Sequence, residues 1–157
     1  MKPSRKLMEL SIAVAKKGVV KDESPFGAVI AKNGKAIVAT HNTVLSGRDA
    51  IAHAEINAIH AACRKLKSHK LYGCTIYSTC EPCPMCFSAI HWAGIPSIIY
   101  GARIEDAKAC GFHELEVHDC RLKRLGKAKV KIRGNFMRRE CVEMMREWKR
   151  RKGRRTY

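Results

Sequence analysis

Two short clusters of metal-binding side chains, about thirty residues apart, constrain this chain more than any other feature of its sequence. The first is His53-Ala54-Glu55, and the second is the stretch Pro82–Cys86, which reads PCPMC. Each cluster lies at the predicted start of a helix, where the helix dipole helps to keep thiolates deprotonated. Thiolate and imidazole are the usual zinc ligands of proteins. The chain must therefore fold so that two helix starts meet.

Three cysteines spaced three residues apart leave a choice of ligands. Cys80, Cys83 and Cys86 form two overlapping Cys-x-x-Cys pairs, but only the second pair has a preceding proline and a predicted helix start. We therefore assign Cys83 and Cys86, together with His53, as zinc ligands, and we expect Cys80 to pack behind them. Three protein ligands leave the fourth position for water, which is the pattern of a catalytic zinc site.

Glu55 is placed to move protons at such a site, because it lies two residues from the imidazole of His53. Water on zinc loses its proton near neutral pH, and a carboxylate can take that proton and later deliver it to a leaving amine. A zinc finger would need a second Cys-x-x-Cys pair or paired histidines at finger spacing. Thioredoxin-like redox chemistry would leave His53 and Glu55 without a role. The two clusters together predict a zinc-dependent deaminase.

The hydrophobic pattern predicts one domain over residues 1–157, in which helices alternate with strands. Such alternation implies a three-layer α/β/α domain with its site where strands end and helices begin. Asn33–Gly34 predicts a tight hairpin turn. Gly18 is expected to end the first helix, which covers about residues 3–17, and Asp49 is expected near the N-cap of the second.

Composition excludes several classes of protein. No apolar run approaches the roughly 18–20 residues of a membrane span. The amino-terminal stretch alternates as an amphipathic helix does and lacks the continuous apolar core of a signal peptide, so we expect a cytoplasmic protein without a membrane partner. The chain has eight cysteines, but it also has ample apolar material, which favours reduced thiols over a disulfide scaffold.

The net charge of +17 is concentrated near the carboxyl terminus. Residues 121–157 contain sixteen basic and three acidic residues, which give this segment a charge of +13. Such a segment is typical of proteins that bind nucleic acid or an anionic surface. It is equally typical of a solvated helix face whose long basic side chains cover apolar surface. The sequence leaves both interpretations open.

The stretches HAEINAIHAAC and YSTCEPCPMCFSAIHWAG resemble the cytidine deaminase superfamily, in the branch that contains guanine deaminases, tRNA adenosine deaminases and yeast-type cytosine deaminases. SPFGAVIAKNGK, YGAR, AKACGF and the spacing from Trp148 to Tyr157 are most similar to bacterial guanine deaminases. The resemblance covers most of the chain. It implies a cytidine-deaminase-like fold with a central mixed sheet of about five strands, one zinc ion per subunit and a homodimer.

The resemblance also implies how a base is held. Asn42 would hydrogen-bond a purine, His53 would lie against its ring, and Ala54 would offer its backbone amide. Phe26 and Trp92 would form walls of the pocket. Taken alone, Asn42 is equally typical of a turn, and the two aromatic residues are equally typical of a core.

Two further residues follow from the same resemblance. Glu114, in GFHELE, takes the place of an aspartate that contacts the exocyclic region of guanine, although it could be a solvated loop charge. Tyr157 would enter the neighbouring subunit's pocket if the basic segment at about 121–157 is exchanged between subunits. A terminal residue is otherwise disordered by default.

The predicted reaction is hydrolysis of a free nucleobase, guanine to xanthine and ammonia. A first alternative is an adenosine or cytidine deaminase of tRNA or another nucleic acid, whose basic segment binds phosphate. A cytosine or nucleoside deaminase is a second. A zinc or nucleic-acid-binding module that has lost activity is a third.

Overall fold

A computed structural model describes residues 2–113 and 115–157 of the chain. Its centre is a five-stranded sheet. The elements in chain order are α1 (Arg5–Val20), β1 (Gly27–Lys32), β2 (Lys35–His41), α2 (Val44–Gly47), α3 (Ala54–Leu66), β3 (Cys74–Cys80), α4 (Pro84–Trp92), β4 (Ser97–Ala102), α5 (Ile104–Ala109), α6 (Asp119–Leu125), β5 (Lys131–Arg133) and α7 (Arg138–Lys149). Within the described part of the chain, no helix combines the length and the apolar composition that crossing a bilayer requires.

The sheet is mixed, as the family resemblance implies. Its strands lie in the order β2-β1-β3-β4-β5. β1 runs antiparallel to β2 and β3, whereas β3, β4 and β5 run parallel to one another. Asn33 and Gly34 join β1 to β2 with φ angles of 50° and 75°, the two positive values that a two-residue hairpin turn requires. The predicted hairpin is confirmed.

Helices cover both faces of the sheet. The hydroxyl of Tyr77 accepts a hydrogen bond from the backbone N–H of Ser4, just before α1, whereas the hydroxyl of Ser78 donates to Glu55 in α3. Because successive side chains of a strand point to opposite faces, α1 and α3 lie on opposite sides. All seven residues of β3 are buried for this reason. The expected three-layer α/β/α architecture is confirmed.

The predicted end of the first helix is wrong. α1 continues past Gly18 to Val20. A Cβ atom at Gly18 would lie 2.9 Å from the ring of His41. The glycine therefore allows the helix to approach β2 closely and does not end it.

The predicted N-cap of the second long helix is also wrong. α3 has His53 as its N-cap residue, and Asp49 lies in the preceding loop, where its carboxylate accepts a hydrogen bond from the N–H of Ile51 at 3.0 Å.

The short helix α6, for which the sequence predicted no element, spans Asp119–Leu125.

Gly27 begins β1 at a point where α1 passes very close to the strand. A Cβ atom there would lie 2.3 Å from the carbonyl oxygen of Ser11 and 2.8 Å from the backbone nitrogen of Ala15. We predict that Gly27→Ala lowers the free energy of unfolding by about 1–3 kcal/mol, the usual cost of overpacking. Chemical denaturation measures it, with Gly47→Ala as control, because the nearest atom to a Cβ at Gly47 is 3.9 Å away. A Gly27→Ala protein as stable as the parent would contradict this packing.

Candidate metal centre and active site

The three predicted zinc ligands lie at the starts of two helices. His53 is the N-cap residue of α3, and Cys83 is the N-cap residue of α4. Pro84 takes the first position of α4, where no intrahelical hydrogen bond is lost, and Cys86 lies in the same turn. The fold thus brings together donors that are about thirty positions apart in the sequence.

The spacing of the donor atoms fits zinc. Nδ1 of His53 lies 3.7 Å from Sγ of Cys83 and 3.6 Å from Sγ of Cys86. Zinc bonds of about 2.0–2.1 Å to nitrogen and about 2.3 Å to sulfur, meeting at a tetrahedral angle, place nitrogen and sulfur about 3.6 Å apart. Among the described residues, no fourth histidine, cysteine or carboxylate joins this group. The donor set is therefore that of a catalytic zinc site.

The two thiols of this group hold their protons unequally. A hydrogen bond from Cys86 lowers the pKa of Cys83 to about 4, with burial opposing it and His53 adding to it. The pKa of Cys86 is raised well above its usual value, mainly because its thiol donates that hydrogen bond and also because it is buried. The pair therefore forms one thiolate readily, and metal binding displaces the second proton.

Glu55 lies beside the donors in the first turn of α3 and is only 5% exposed to solvent. One carboxylate oxygen, Oε1, accepts a hydrogen bond of 2.6 Å from the hydroxyl of Ser78. The other, Oε2, lies 3.6 Å from Sγ of Cys86. Burial raises the pKa of Glu55, while the charge of His53 and the hydrogen bond from Ser78 act in the opposite direction. A raised pKa suits a carboxyl group that both accepts and releases a proton near neutral pH.

Cys80 lies at the end of β3 and is not one of the three clustered donors. Its side chain is buried, and its thiol donates to the carbonyl oxygen of Arg103 at 3.5 Å. Cys80 also lines a narrow cleft with His53 and Cys83, so its packing behind the ligands stays a prediction.

A narrow cleft beside the metal centre connects its residues with the carboxyl terminus of the chain. His53, Glu55 and Tyr157 line this cleft, and a wider cavity of about 270 Å³ adjoins it. Pockets for small molecules usually measure about 300–1,000 Å³, so this cavity suits a ligand as small as a single base. Its walls are formed by Ala50, His53, Cys83, Pro84, Met85, Phe112, His113, Leu115 and Tyr157.

Asn42 and Tyr157 contact each other at this site. The amide nitrogen of Asn42 donates to the hydroxyl of Tyr157 at 2.7 Å, and the amide oxygen of Asn42 accepts from the N–H of Val44 at 3.1 Å. Asn42 is fully buried. The ring of Tyr157 lies 5.4 Å from the ring of His53. In the single chain, the terminal tyrosine therefore covers the site of its own subunit, and exchange between subunits stays a prediction.

Phe26 and Ala54 also lie at the site. Phe26 lines the narrow cleft, and its ring packs edge-on against that of Phe112 at 4.7 Å. Ala54 is the first residue of α3, so its N–H belongs to the helical turn that lacks intrahelical partners. Its carbonyl oxygen accepts a hydrogen bond from the hydroxyl of Thr40 at 2.9 Å.

The structure places Trp92 away from both the cavity and the narrow cleft. Trp92 is 74% exposed and lines a separate hollow beside Leu122 and Leu125 of α6. It lies at the far end of α4 from the metal ligands, because the helix leads away from them. Glu114 lies outside the described residues.

Asn57 holds the loop that carries the site, and the sequence analysis did not predict this role. Its amide nitrogen donates to the carbonyl oxygens of His41 at 2.9 Å and Ala52 at 3.2 Å, and to the hydroxyl of Thr43 at 2.9 Å. Asn57 thereby braces the loop of residues 42–53. Its position one helical turn after the predicted ligand His53 was the only signal in the sequence.

Ser78, Phe112 and Glu81 were also missed. A serine within an otherwise ordinary strand gives no signal of its contact with Glu55. The contacts of Phe112 with Trp148 and Tyr157, at ring distances of 4.9 Å and 5.8 Å, join segments that are far apart in sequence. Glu81 had a signal, since it is an acidic residue inside the cysteine motif.

Comparison with known proteins agrees with the fold and the site. A family model for the cytidine and deoxycytidylate deaminase zinc-binding region matches residues 1–102. The fold and the site together define an α/β/α domain with a three-ligand zinc centre. The chain belongs to the cytidine and deoxycytidylate deaminase zinc-binding family. Its His53, Cys83 and Cys86 are positioned to hold one zinc ion.

Relatives with two different substrates are similar to this chain. Guanine deaminase of Bacillus subtilis is 46% identical over 90 residues, 57% of this chain and 58% of that protein. The match thus spans less than two thirds of that protein's length. tRNA-specific adenosine deaminase of Buchnera aphidicola is 33% identical over 138 residues, 88% of each chain. A solved structure of guanine deaminase from Nitrosomonas europaea has a TM-score of 0.87 at 29% identity, covering 95% of this chain and 86% of that one.

Substitution of single cysteines distinguishes the predicted zinc ligands from Cys80. We predict that Cys80→Ser retains about one zinc per chain, because serine keeps the small size and the donor that faces Arg103. Cys83→Ser should lose most of its zinc, because a thiolate ligand is removed. Atomic emission spectrometry of the purified proteins measures both. Loss of zinc from Cys80→Ser with retention in Cys83→Ser would reverse the assignment.

Proposed function

We propose that this chain is a zinc-dependent aminohydrolase that converts guanine and water to xanthine and ammonia. The observation on which the proposal rests is the closure of the metal centre by Tyr157, whose hydroxyl is held by the buried amide of Asn42. A cavity of about 270 Å³ beside this contact leaves room for a free base. The guanine deaminase relatives from Bacillus subtilis and Nitrosomonas europaea support the same choice.

The proposed catalytic roles follow from the contacts of the chain's own residues. His53, Cys83 and Cys86 would hold a zinc ion, which when bound would act as a Lewis acid and bring the pKa of water near neutrality. Glu55 accepts that proton on Oε2, the carboxylate oxygen nearer the ligand Cys86, while Ser78 holds Oε1. The water oxygen, having given its proton to Glu55, adds to C2 of guanine as Glu55 passes that proton to the ring nitrogen. Glu55 then transfers the hydroxyl proton to the amino group, the C2–N bond breaks, and ammonia leaves.

The other site residues bind and orient the base. The amide of Asn42 hydrogen-bonds the purine, the N–H of Ala54 faces it at the start of α3, and Phe26 with His53 flanks its ring. For Glu114 we propose, from the family resemblance alone, the role of the family's aspartate toward the exocyclic region of guanine. We further propose a homodimer in which the segment ending at Tyr157 closes the pocket. Trp92 is not part of the proposed pocket of its own chain, because its side chain lies in the hollow beside α6.

Glu55 as the single proton carrier predicts a large loss of turnover in Glu55→Gln. Glutamine keeps the shape of the side chain and an oxygen that can face Ser78, but it cannot carry the proton. We expect turnover to fall by at least ~10²-fold, the lower end of general acid–base contributions. Steady-state ammonia release from zinc-loaded protein measures it, with Glu147→Gln, an exposed carboxylate in α7, as the matched control. Near-normal turnover in zinc-loaded Glu55→Gln would refute this role.

A second candidate function is deamination of a base in tRNA or another nucleic acid. The specific observation in its favour is that all basic residues between positions 149 and 155 are exposed, immediately before the terminal tyrosine. The Buchnera aphidicola relative, which acts on tRNA, aligns over 88% of this chain. A flipped nucleotide, however, needs an open entrance for its backbone, and Tyr157 lies across this one. We therefore favour the free base.

A substrate panel with two variants separates these functions. The panel measures ammonia release from guanine, cytosine, cytidine, adenine and tRNA. The first variant lacks residues 150–157, all of which follow α7, and the second keeps Tyr157 but replaces the five basic residues Arg150, Arg151, Lys152, Arg154 and Arg155 with glutamine.

We expect guanine to be the substrate, the truncation to abolish its deamination, and the glutamine variant to retain it. The tRNA candidate predicts instead that the glutamine variant loses tRNA deamination. Added salt weakens the binding of tRNA to the parent protein, so the difference in activity between parent and variant should become smaller as salt is added. Activity on cytosine or cytidine alone would favour the pyrimidine alternative. Stoichiometric zinc without deamination of any compound would favour a binding module.

A further inference from the structure

We propose that Glu81 is a positioning residue that ties the loop carrying Cys83 to the segment of residues 113–118, of which His113 and Leu115 line the cavity. Glu81 lies between the end of β3 and the ligand Cys83, and only 1% of its side chain is exposed. Its effect on catalysis rests on the proposed function, but its effect on the segment does not.

Both carboxylate oxygens of Glu81 are directed at the start of α6. Oε1 accepts a hydrogen bond from the backbone N–H of Asp119 at 3.0 Å, and Oε2 accepts one from Nδ1 of His118 at 3.1 Å. The N–H of Glu81 donates to the carbonyl oxygen of Ala102 at 2.8 Å, which fixes its backbone to the end of β4. Glu81 is therefore a rigid link between the sheet and α6.

The segment of residues 113–118 needs such a link, because its described residues form no helix or strand. His113 and Leu115 line the cavity beside the metal centre. Before the segment, Phe112 is fixed by packing against Phe26 and Trp148. After it, the contacts of Glu81 provide the corresponding anchor. A displacement at this end would move the wall against which a base is held.

His118 completes the anchor as a bridge between two carboxylates. Its Nδ1 faces the buried Glu81, and its Nε2 lies 3.2 Å from Oε1 of the exposed Glu105. The hydrogen bond to Glu81 is the main cause of a raised pKa of His118, with burial and Arg103 opposing. Hydrogen bonds with an ionised partner are stronger than neutral ones, so a protonated His118 holds the segment more firmly.

Asp119 contacts Glu81 through its backbone and not through its carboxyl group. Burial, and then the charge of Glu81, raises the pKa of Asp119 to about 9, so that Asp119 is neutral at pH 7. Neither oxygen of its carboxyl group has a hydrogen-bond partner among the described residues. The contribution of Asp119 to the anchor is therefore its backbone N–H, and removal of the charge at Glu81 should be enough to loosen the segment.

The test compares Glu81→Gln, His118→Asn and the double variant with the parent protein. Glutamine keeps the size of the side chain, which limits the risk of misfolding. The matched control is Glu116→Gln, since Glu116 belongs to the same segment but forms an exposed ion pair with Lys108, a type of contact that contributes little. Four quantities are measured: amide hydrogen exchange of residues 113–118, the NMR titration of His118, zinc content, and KM with kcat for the deaminated base.

We expect exchange of residues 113–118 to accelerate in Glu81→Gln by roughly tenfold or more, which corresponds to losing a charge-assisted hydrogen bond. The titration midpoint of His118 should fall toward its usual value, and zinc content should not change. KM should rise by about tenfold with kcat within about threefold. The double variant should be no worse than the more affected single variant, because the two residues act as one contact.

Unchanged exchange and an unchanged His118 titration in Glu81→Gln would overturn the proposal. Loss of zinc would also overturn it, because Glu81 would then act on the ligand loop alone. An equal effect of Glu116→Gln would also overturn it, because the effect would then not be specific to Glu81. If the parent protein deaminates no base, the proposed function fails, while exchange, titration and zinc content still decide the role of Glu81.

Discussion

The meeting of two helix starts at one metal centre is the constraint on which the rest of the site depends. His53 precedes α3 and Cys83 precedes α4, so the partial positive charge of both helix ends is directed at the same small volume. That field favours the thiolates that zinc requires. Glu55 lies in the first turn of α3, and the same helix start therefore brings it next to the donors without making it one of them. One local rule of helix geometry thus places both the metal-binding donors and the proposed proton carrier.

Closure of the cavity depends on aromatic contacts between distant segments. Phe112 packs against Phe26, Trp148 and Tyr157, which come from the loop before β1, from α7 and from the carboxyl terminus. This cluster makes the shape of the cavity depend on the whole fold. Trp148 is buried in this cluster. The basic segment that follows it therefore has no exposed aromatic ring before Tyr157 that could stack on bases. Its exposed cations are suited to phosphate contacts that do not depend on base sequence.

Buried carboxyl groups are prominent in this strongly basic chain, and their surroundings differ. Glu23 accepts hydrogen bonds from the N–H groups of Leu45 and Ser46, and Glu81 accepts them from the start of α6. Both therefore have donors that compensate for the loss of water. Glu55 faces the thiol of Cys86 and the hydroxyl of Ser78, surroundings that suit its proposed role as a proton carrier. The net charge of +17 does not explain these differences, because hydrogen bonds within a few ångströms determine each of them.

The sequence by itself determined the candidate metal ligands, the layered α/β/α fold and the hairpin, because each depends on residue chemistry or periodicity over a short stretch, whereas the five-stranded mixed sheet followed from the family resemblance. The donors of His53, Cys83 and Cys86 needed only the spacing of two motifs and the expectation of helix starts. The contact between Asn42 and Tyr157, the role of Glu81 and the position of Trp92 needed the tertiary structure. These depend on how segments up to 115 positions apart approach each other, and on which way a helix leads from the site. Local patterns specify neither, because the same residues in the same order could pack at other angles and distances.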